Sequence, residues 1–447
     1  MNRKEGAPWG AAAALALASI FSPGAMMGAT DAARPPVKRT LANNLTLVYQ
    51  RDTASPLTVL SLLIKGGQKA EPERSAGLAF LTTRLLLEIP DSQSARNIMR
   101  QSSSAGMTCR GDFSLVNLEC LSVNFEDLLR IMAEPLLHPL FSGVRVDKIK
   151  ESMNHQRDIL DDDAVQAAHA AQTLSFFGNS GYGASVYGCE ESLKKLKGEQ
   201  ATQFYQTYFR AENVVLAVVT DLDEEAVAGL LQKYLTPFPA GAAEAKGAAP
   251  NPFRAVTKKD YVSKRTVQTF MSYGFRLPEL SRRGYALASL VENILGKGVA
   301  SRLWPLRQKE RLAYNVDADA ILMKDAGLLE VYLETDEGNR EPALAGLTRV
   351  LDDLWSRGIG DEELAAVKAM AKANFLRDNE TKDSRCSNLA FWESVGLGAD
   401  FLDRLPDEIE AVALAEINDY IRAVLGPDRA HLVIVGPKDI GGPSPAR

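Results

Sequence analysis

Arg307 and Tyr314 are the two residues whose types and spacing best suit the binding of a polar ligand. They lie seven positions apart, Arg307 on a predicted short helix and Tyr314 where a strand-like run begins. A guanidinium and a phenol so placed can both contact one carbonyl or carboxylate group. The alternative is that Arg307 is a surface cation and Tyr314 an aromatic residue at the edge of the core. The pair predicts a candidate substrate-binding site.

The segment that must position this pair runs from Leu295 to Val316. It opens with Gly296-Lys297-Gly298, where residues without a Cβ atom can adopt positive φ or lie against other backbone. Ser301 is predicted to cap the helix that follows, because its side chain can accept a hydrogen bond from a free backbone N–H. Apolar residues then recur at helical spacing, and the run 313–316 alternates as a strand does. The Gly-X-Gly spacing does not match a phosphate-binding loop.

The histidines do not form a metal site. The sequence has four of them, at positions 138, 155, 169 and 431. A single long helix is predicted from about Val146 to Phe177, and on it His155 and His169 would be separated by about 21 Å. That is too far for two ligands that each bind at about 2 Å. A magnesium or calcium site made only of carboxylates stays open at Asp161-Asp162-Asp163, although such a run is more often a solvated helix face.

Composition excludes some functions and leaves others open. The chain has 447 residues, 46% hydrophobic and 24% charged, with a net charge of −6. No long basic run is present, so nucleic-acid binding is not expected. The cysteines form no CxxC pair and are predicted to be buried free thiols; they are Cys109, Cys120, Cys189 and Cys386. No Gly-X-Ser-X-Gly sequence is present to indicate a serine hydrolase.

The N-terminus has the features of an export signal. Arg3 and Lys4 form a small basic region, and Ala11 to Phe21 is apolar but too short to span a bilayer comfortably. Residues 1–29 are therefore predicted to be a signal peptide, with an approximate cut, and the mature chain to be exported to the periplasm without a transmembrane segment. An uncleaved membrane anchor is the alternative.

The remaining chain shows a duplicated pattern of strands and helices. The run that starts at Thr58 and the run that starts at Thr266 are both strand-like, end in Gly and precede an apolar helix, with an offset of 208 residues. Each half ends in a buried strand. The sequence predicts two tandem α+β domains, 38–236 and 259–440, joined by an Ala/Pro/Gly-rich linker at 237–258.

The order of motifs resembles the M16 family of zinc peptidases, the pitrilysin- and insulinase-like family. The resemblance covers most of the mature chain and rests on several motifs together: Leu295-Gly-X-Gly-X-X-Ser-Arg-Leu303, Leu306-Arg-X-Lys-Glu-X-Leu-Ala-Tyr-X-Val316, Glu362-Glu-Leu-X-X-X-Lys368, Phe177-Gly-X-X-X-Tyr-Gly183 and Gly188-X-X-Glu-Ser192. It implies the two-domain member that pairs with a second chain, and a fold in which each domain has a mixed or antiparallel sheet packed with helices.

The zinc motif of that family, His-X-X-Glu-His, is degenerate here. After Gly77-Leu78-Ala79, the two histidine positions hold Phe80 and Arg84, and the general-base position holds Thr83. Phenylalanine cannot ligate zinc, a guanidinium brings positive charge, and a threonine cannot accept a proton from metal-bound water at neutral pH. The third ligand, a glutamate, would fall somewhere between Glu151 and Asp163. No metal or other cofactor is predicted in this chain.

The resemblance implies a non-catalytic subunit of a zinc peptidase complex. Paired chains of this family close around an unfolded peptide, and an Arg and a Tyr of the C-terminal half, here Arg307 and Tyr314, lie opposite the zinc. We therefore expect a heterodimer whose partner bears the zinc, with Tyr314 donating to a peptide carbonyl. Two alternatives stay open: an inactive peptide-binding or scaffold protein, and a metallopeptidase with an unrecognised metal site.

Overall fold

The structure, a computed structural model, describes residues 33–87, 104–241 and 258–437. The predicted signal segment 1–29 and most of the predicted linker 237–258 lie outside these residues. None of the helices in the described part of the chain combines the length and apolar character that a membrane span requires.

The first half forms a six-stranded mixed sheet. Its strands are β1 (Val37–Thr40), β2 (Thr46–Arg51), β3 (Leu57–Ile64), β4 (Ser104–Arg110), β5 (Phe113–Leu121) and β6 (Val214–Thr220). The spatial order is β1-β2-β6-β3-β5-β4, in which β2 and β6 are parallel and the other neighbours antiparallel. Every residue of β6 is buried, as its unbroken apolar sequence predicts.

The described helices of the first half are α1 (Leu78–Leu87), α2 (Phe125–Leu137), α3 (Gly143–Asp162), α4 (Ala164–Phe177), α5 (Glu190–Lys195), α6 (Gly198–Tyr208) and α7 (Glu224–Leu235). Helix α1 follows the sheet strand β3 and packs against α3 and α6. It carries Phe80, Thr83 and Arg84, the positions at which the resemblance leads us to expect the zinc motif.

The second half forms a five-stranded mixed sheet with the order β7-β11-β8-β10-β9. Its strands are β7 (Lys258–Ser263), β8 (Gln268–Leu277), β9 (Asn315–Met323), β10 (Ala326–Asp336) and β11 (Ala430–Gly436). Its helices are α8 (Arg282–Leu295), α9 (Trp304–Gln308), α10 (Arg340–Arg357), α11 (Asp361–Asp378), α12 (Lys382–Ser394), α13 (Phe401–Glu410) and α14 (Leu414–Val424).

The two sheets have the same topology. The order β2-β6-β3-β5-β4 in the first half corresponds strand for strand to β7-β11-β8-β10-β9 in the second. Strand β6 is parallel to β2 and antiparallel to β3. In the same way, β11 is parallel to β7 and antiparallel to β8. The predicted duplicated α+β architecture is therefore confirmed.

One helix of each half also packs on the sheet of the other half. Helix α12 of the second half lies on β3 and β6, and α4 of the first half lies on β8 and β11. Leu389 and Ala390 of α12 share a hydrophobic core with Val59 and Val215 of the first sheet. The exchange buries apolar surface across the boundary between the halves and joins them into one packed unit.

Helix α4 meets the second sheet through a buried amide. Gln172 is fully buried and its Nε2 donates to the backbone oxygen of Ser272 at 3.0 Å and of His431 at 3.3 Å. A Cβ atom on Gly274 would lie 2.8 Å from Gln172 Cδ, so a glycine is needed for this approach. This contact fixes where α4 crosses the sheet.

The His169–Glu330 pair in the same interface predicts a pH dependence of stability. His169 Nδ1 lies 3.0 Å from a carboxylate oxygen of Glu330. Burial disfavours the charged imidazole, but the hydrogen bond and charge of Glu330 outweigh it and the pKa of His169 is raised above its usual value. Because the folded pKa is the higher one, the stabilisation is complete below about pH 6.5 and is lost as pH rises through the raised value.

We therefore expect the stability difference between wild type and His169→Gln to be larger at pH 6 than at pH 9. The measurement is the urea midpoint of both proteins at the two pH values, with Glu330→Gln as the matched removal of the carboxylate. An equal difference at the two pH values would contradict the proposed pairing.

The predicted single helix from Val146 to Phe177 is wrong. The chain breaks at Asp163, which has extended backbone (φ −82°, ψ 130°) and whose side chain accepts from the N–H of Gln166 at 2.9 Å. The carboxylate thus caps a new helix, which is a common role of Asp before a helix. His155 and His169 consequently lie on two different helices.

The cysteine prediction holds for three of the four residues. All four thiols are free; Cys109, Cys120 and Cys386 are buried, whereas Cys189 is exposed. Cys386 lies on α12 with its Sγ 3.1 Å from the backbone oxygen of Ala217. This thiol is therefore part of the interface between the halves.

Candidate functional site

Arg307 and Tyr314 line the same surface cavity of about 340 Å³. The cavity lies between the end of α9, the loop that follows it, and the C-terminal end of β10. Its lining residues are Arg307, Gln308, Arg311, Leu312, Ala313, Tyr314, Thr335, Asp336 and Asn339. The two residues singled out from the sequence are thus brought together, and they share the cavity with polar residues from a distant part of the chain.

Helix α9 is short but firmly anchored. Leu303 and Leu306 are fully buried, so the helix has one face fixed in the core. On its outer face the Arg307 guanidinium lies 5.1 Å from the centre of the Trp304 ring, a cation–π arrangement that restricts the side chain. The packing holds Arg307 near the cavity.

The loop after α9 carries a residue in a strained conformation. Arg311 has φ of 56°, a left-handed value that is uncommon for a residue with a long side chain. The backbone is held by the N–H of Leu312, which donates to the oxygen of Leu306 at 2.8 Å, and by the N–H of Glu310, which donates to Pro305 at 3.0 Å. The turn directs the chain from α9 into β9.

Tyr314 is half exposed, and its hydroxyl proton already has an acceptor. The side chain is 52% exposed, and its hydroxyl donates to Asp336 at 2.5 Å. That hydrogen bond is the main reason that the pKa of Tyr314 is raised above its usual value. In this conformation the phenol oxygen presents acceptor lone pairs, so donation to a peptide carbonyl requires that the hydroxyl turn away from Asp336.

The glycines and Arg302 of this segment have structural roles. Gly298 has φ of 83°, and a Cβ on Gly296 would lie 2.1 Å from the backbone nitrogen of Ala318, so both expected uses of glycine occur. Arg302 donates to both carboxylate oxygens of Glu363, each at 2.8 Å. These contacts join the segment to β9 and α11.

The predicted cap at Ser301 is wrong. The residue that precedes α9 is Leu303, and Pro305 stands in the first turn, where its missing N–H costs nothing. Ser301 is instead buried, and its Oγ has no hydrogen-bond partner among the described residues.

The degenerate zinc positions lie on α1, as predicted, and their surroundings do not fit a metal. The Phe80 ring packs edge-on against Tyr187 with centroids 4.8 Å apart. Thr83 is fully buried and its hydroxyl donates to the backbone oxygen of Ala79 at 2.9 Å. Arg84, one turn after Phe80, is partly exposed. Apolar packing and a cation thus occupy the site where a zinc peptidase needs two imidazoles and a carboxylate.

Glu71, which the sequence analysis missed, caps this helix. Its carboxylate accepts from the N–H groups of Gly77 at 3.1 Å and Ala79 at 2.9 Å. Burial outweighs these donors and raises the pKa of Glu71 to about 8. Beside it, Met153 of α3 is fully buried, and its methyl group would lie 2.9 Å from a Cβ on Gly77. The face of α3 nearest the start of α1 is therefore apolar.

The remaining metal candidates are dispersed. Within the described ranges, no group of three or more His, Cys, Asp and Glu side chains is arranged to hold an ion. Asp161 and Asp162 are exposed at the end of α3, and Asp163 caps α4. His138 ends α2, and His431 pairs with Asp260 at 3.0 Å.

Three residues of the two sites carried no sequence signal. Asp336 lies 22 positions beyond Tyr314 and meets it because β9 and β10 are antiparallel neighbours. Arg311 takes a left-handed conformation that nothing in its side chain predicts, and Glu71 caps a helix that starts seven residues later. Only the tertiary structure brings these groups to their sites.

The described residues form two α+β units with matching sheet orders, and positions 80, 83 and 84 hold Phe, Thr and Arg. The family profile described as insulinase (peptidase family M16) matches residues 46–189, and the profile described as peptidase M16 inactive domain matches residues 195–371. Together the two profiles span most of the chain. The chain belongs to the M16 family.

Two relatives and one solved structure agree with this assignment. The chain is 22% identical over 409 residues to the uncharacterized zinc protease YmxG of Bacillus subtilis, covering 90% of this chain and 98% of the relative. It is 24% identical over 386 residues to the non-peptidase homolog YmxG of Helicobacter pylori, covering 84% and 88%. A crystal structure of a peptidase M16 inactive domain from Pseudomonas fluorescens superposes with a TM-score of 0.82, at 21% identity, over 91% of this chain and 99% of that one.

Proposed function

We propose that this chain is the non-catalytic subunit of an M16-type zinc metallopeptidase complex. It completes the peptide-binding chamber of a zinc-bearing partner and supplies substrate contacts from Arg307 and Tyr314. The observation that carries the proposal is the combination of two features: the pair lines one cavity, whereas the positions for zinc and general base hold Phe80, Thr83 and Arg84.

The side chains of the cavity suit an extended peptide. Arg307 offers several N–H donors from a guanidinium that stacking on Trp304 restrains, which reduces the entropy lost when a carbonyl or carboxylate binds. The hydroxyl of Tyr314 can accept from a peptide N–H while it donates to Asp336, or donate to a carbonyl after it turns. These groups bind and orient substrate, and bond cleavage is left to the partner's zinc.

The proposal also requires a shared compartment. The predicted signal segment leads us to place both chains in the periplasm, where unfolded peptides are the substrate class. A scaffold role without proteolysis is the second possibility, since the family includes a non-peptidase homolog.

The proposal is tested by capturing the tagged full chain from the periplasm of its own cells and identifying what co-purifies. We expect a second M16 chain with an intact His-X-X-Glu-His sequence, in equimolar amount. Recovery of this chain alone, or only with proteins that lack a zinc motif, would contradict the proposal and favour the scaffold.

A further inference from the structure

We infer that the cavity of Arg307 and Tyr314 recognises a carboxylate group of the peptide, and that Arg311 gives it this selectivity. The inference rests on the proposed function, because it names the substrate chemistry of the same site. It goes further by assigning a binding role to Arg311, which lies outside the Arg307/Tyr314 pair.

The cavity has an excess of positive charge. Two guanidinium groups, of Arg307 and Arg311, line it, and neither has an ion-pair partner among the described residues. The one carboxylate in the lining is Asp336, which accepts the hydroxyl proton of Tyr314. An anionic group that enters the cavity therefore meets two guanidinium groups and one carboxylate.

Glu310, the nearest acidic residue in the loop, forms an ion pair with another arginine. Glu310 lies next to Arg311 in sequence, yet both of its carboxylate oxygens accept from Arg349 Nη2 on α10, at 2.7 and 2.9 Å. Glu310 is therefore paired with Arg349 and not with Arg311. The charge of Arg311 stays available to a ligand.

The backbone at Arg311 is held in an unfavourable conformation. Its φ of 56° persists because Leu312 is hydrogen-bonded to Leu306 on one side and Glu310 to Pro305 on the other. Strained backbone of this kind occurs preferentially at ligand-binding positions. Here the strain accompanies a cation that lines the cavity.

A carboxylate is the anion that best fits this site. Its planar pair of oxygens matches the N–H edges of a guanidinium, and Gln308 and Asn339 add amide donors from the cavity wall. A peptide supplies such a group in two ways, as its C-terminal carboxylate or as an Asp or Glu side chain. Both sources share the chemistry, and peptide design separates them.

The test is fluorescence anisotropy of labelled unstructured peptides with the full chain, wild type and Arg311→Gln. The first pair of peptides lacks acidic side chains and differs only in a free or amidated C-terminus. The second pair is amidated and differs only in one internal Asp or Asn. Arg357→Gln, an exposed arginine outside the cavity, is the matched control.

We expect wild type to bind one member of at least one pair about tenfold more tightly, the free acid over the amide or the Asp peptide over the Asn peptide. Arg311→Gln should reduce this ratio to near one, and Arg357→Gln should leave it unchanged. A preference in the first pair identifies the C-terminal carboxylate as the ligand, and one in the second identifies an acidic side chain.

The results that would contradict carboxylate recognition differ from those that would contradict the proposed function. Equal binding within both pairs, with affinity still reduced by Arg307→Ala, would overturn carboxylate selection and leave the proposed function standing. A ratio that survives Arg311→Gln would overturn the role of Arg311. Binding by no peptide would overturn the inference that this cavity recognises a carboxylate. Binding that neither Arg307→Ala nor Tyr314→Phe weakens would overturn the proposed function as well.

Discussion

Replacing Lys382 by methionine is expected to lower the free energy of unfolding by about 2 to 4 kcal/mol. Lys382 begins α12, is 8% exposed, and donates from Nζ to three backbone oxygens of the first half, those of Asp52 at 2.7 Å, Ser55 at 2.7 Å and Leu57 at 2.9 Å. Burial lowers the pKa of this ammonium, although the nearby carboxylate of Asp52 favours its charge. Methionine keeps the length of the side chain and leaves the three carbonyl groups without their donor.

The measurement is equilibrium unfolding in urea followed by tryptophan fluorescence, to which Trp392 contributes from the same helix, where it is buried. Lys194→Met is the control, because Lys194 is exposed and pairs with Glu190 one turn away, so a change below about 0.5 kcal/mol is expected. A Lys382→Met protein as stable as that control would show that α12 is not held to the first sheet as described.

Arg307→Ala is expected to lower kcat/KM of the assembled peptidase by about 10- to 100-fold, and Tyr314→Phe by about 3- to 10-fold. The arginine has the larger effect because its hydrogen bonds are charge-assisted, whereas the phenol contributes one neutral hydrogen bond. Neither variant should weaken binding of the partner chain, because both residues line a surface cavity and Tyr314 is half exposed. Peptide turnover and partner affinity are measured on the same preparations.

Two controls match the chemistry of these substitutions. Arg130→Ala removes the guanidinium of an exposed arginine in the first half. Tyr234→Phe removes a phenol hydroxyl that, like that of Tyr314, donates to a carboxylate, here Glu126 at 3.0 Å. Turnover should be unchanged in both. If Arg307→Ala and Tyr314→Phe behave like these controls, the cavity does not contact substrate.

The architecture was largely predictable because local patterns of apolar and turn residues indicate its strands. The strand-like run that starts at Thr58 lies in β3, and the buried strands predicted to end the two halves are β6 and β11. Unbroken apolar runs of this length, bounded by turn residues, have few other structures open to them. The repeat of the pattern after 208 residues then gave the duplication, which the two sheet orders confirm.

The exchange of helices was not predictable from such patterns. An apolar stripe on α4 or α12 shows that a face is buried, but not which sheet covers it. The break at Asp163 was missed for a related reason, because the hydrogen bond that caps the start of α4 depends on a single side chain.

The candidate site was likewise predictable only in part. The positions of Arg307 and Tyr314 follow from the sequence because α9 and β9 are consecutive elements. The acceptor for Tyr314 does not, because Asp336 reaches it through the register of β9 and β10. The absence of His and Glu at positions 80, 83 and 84 was clear from residue types alone, while the capping of the same helix by Glu71 required the fold.

The central claim, that this chain serves a zinc peptidase without itself holding zinc, is tested most directly by metal and activity measurements on three samples. These are the chain alone, the co-purifying partner alone and the reconstituted pair, each assayed for bound zinc and for cleavage of an unstructured peptide. The account predicts zinc in the partner and in the pair, none bound stoichiometrically to this chain, and full cleavage only in the pair. Stoichiometric zinc and cleavage in the lone chain would contradict it and would show that Phe80, Thr83 and Arg84 do not mark a lost site.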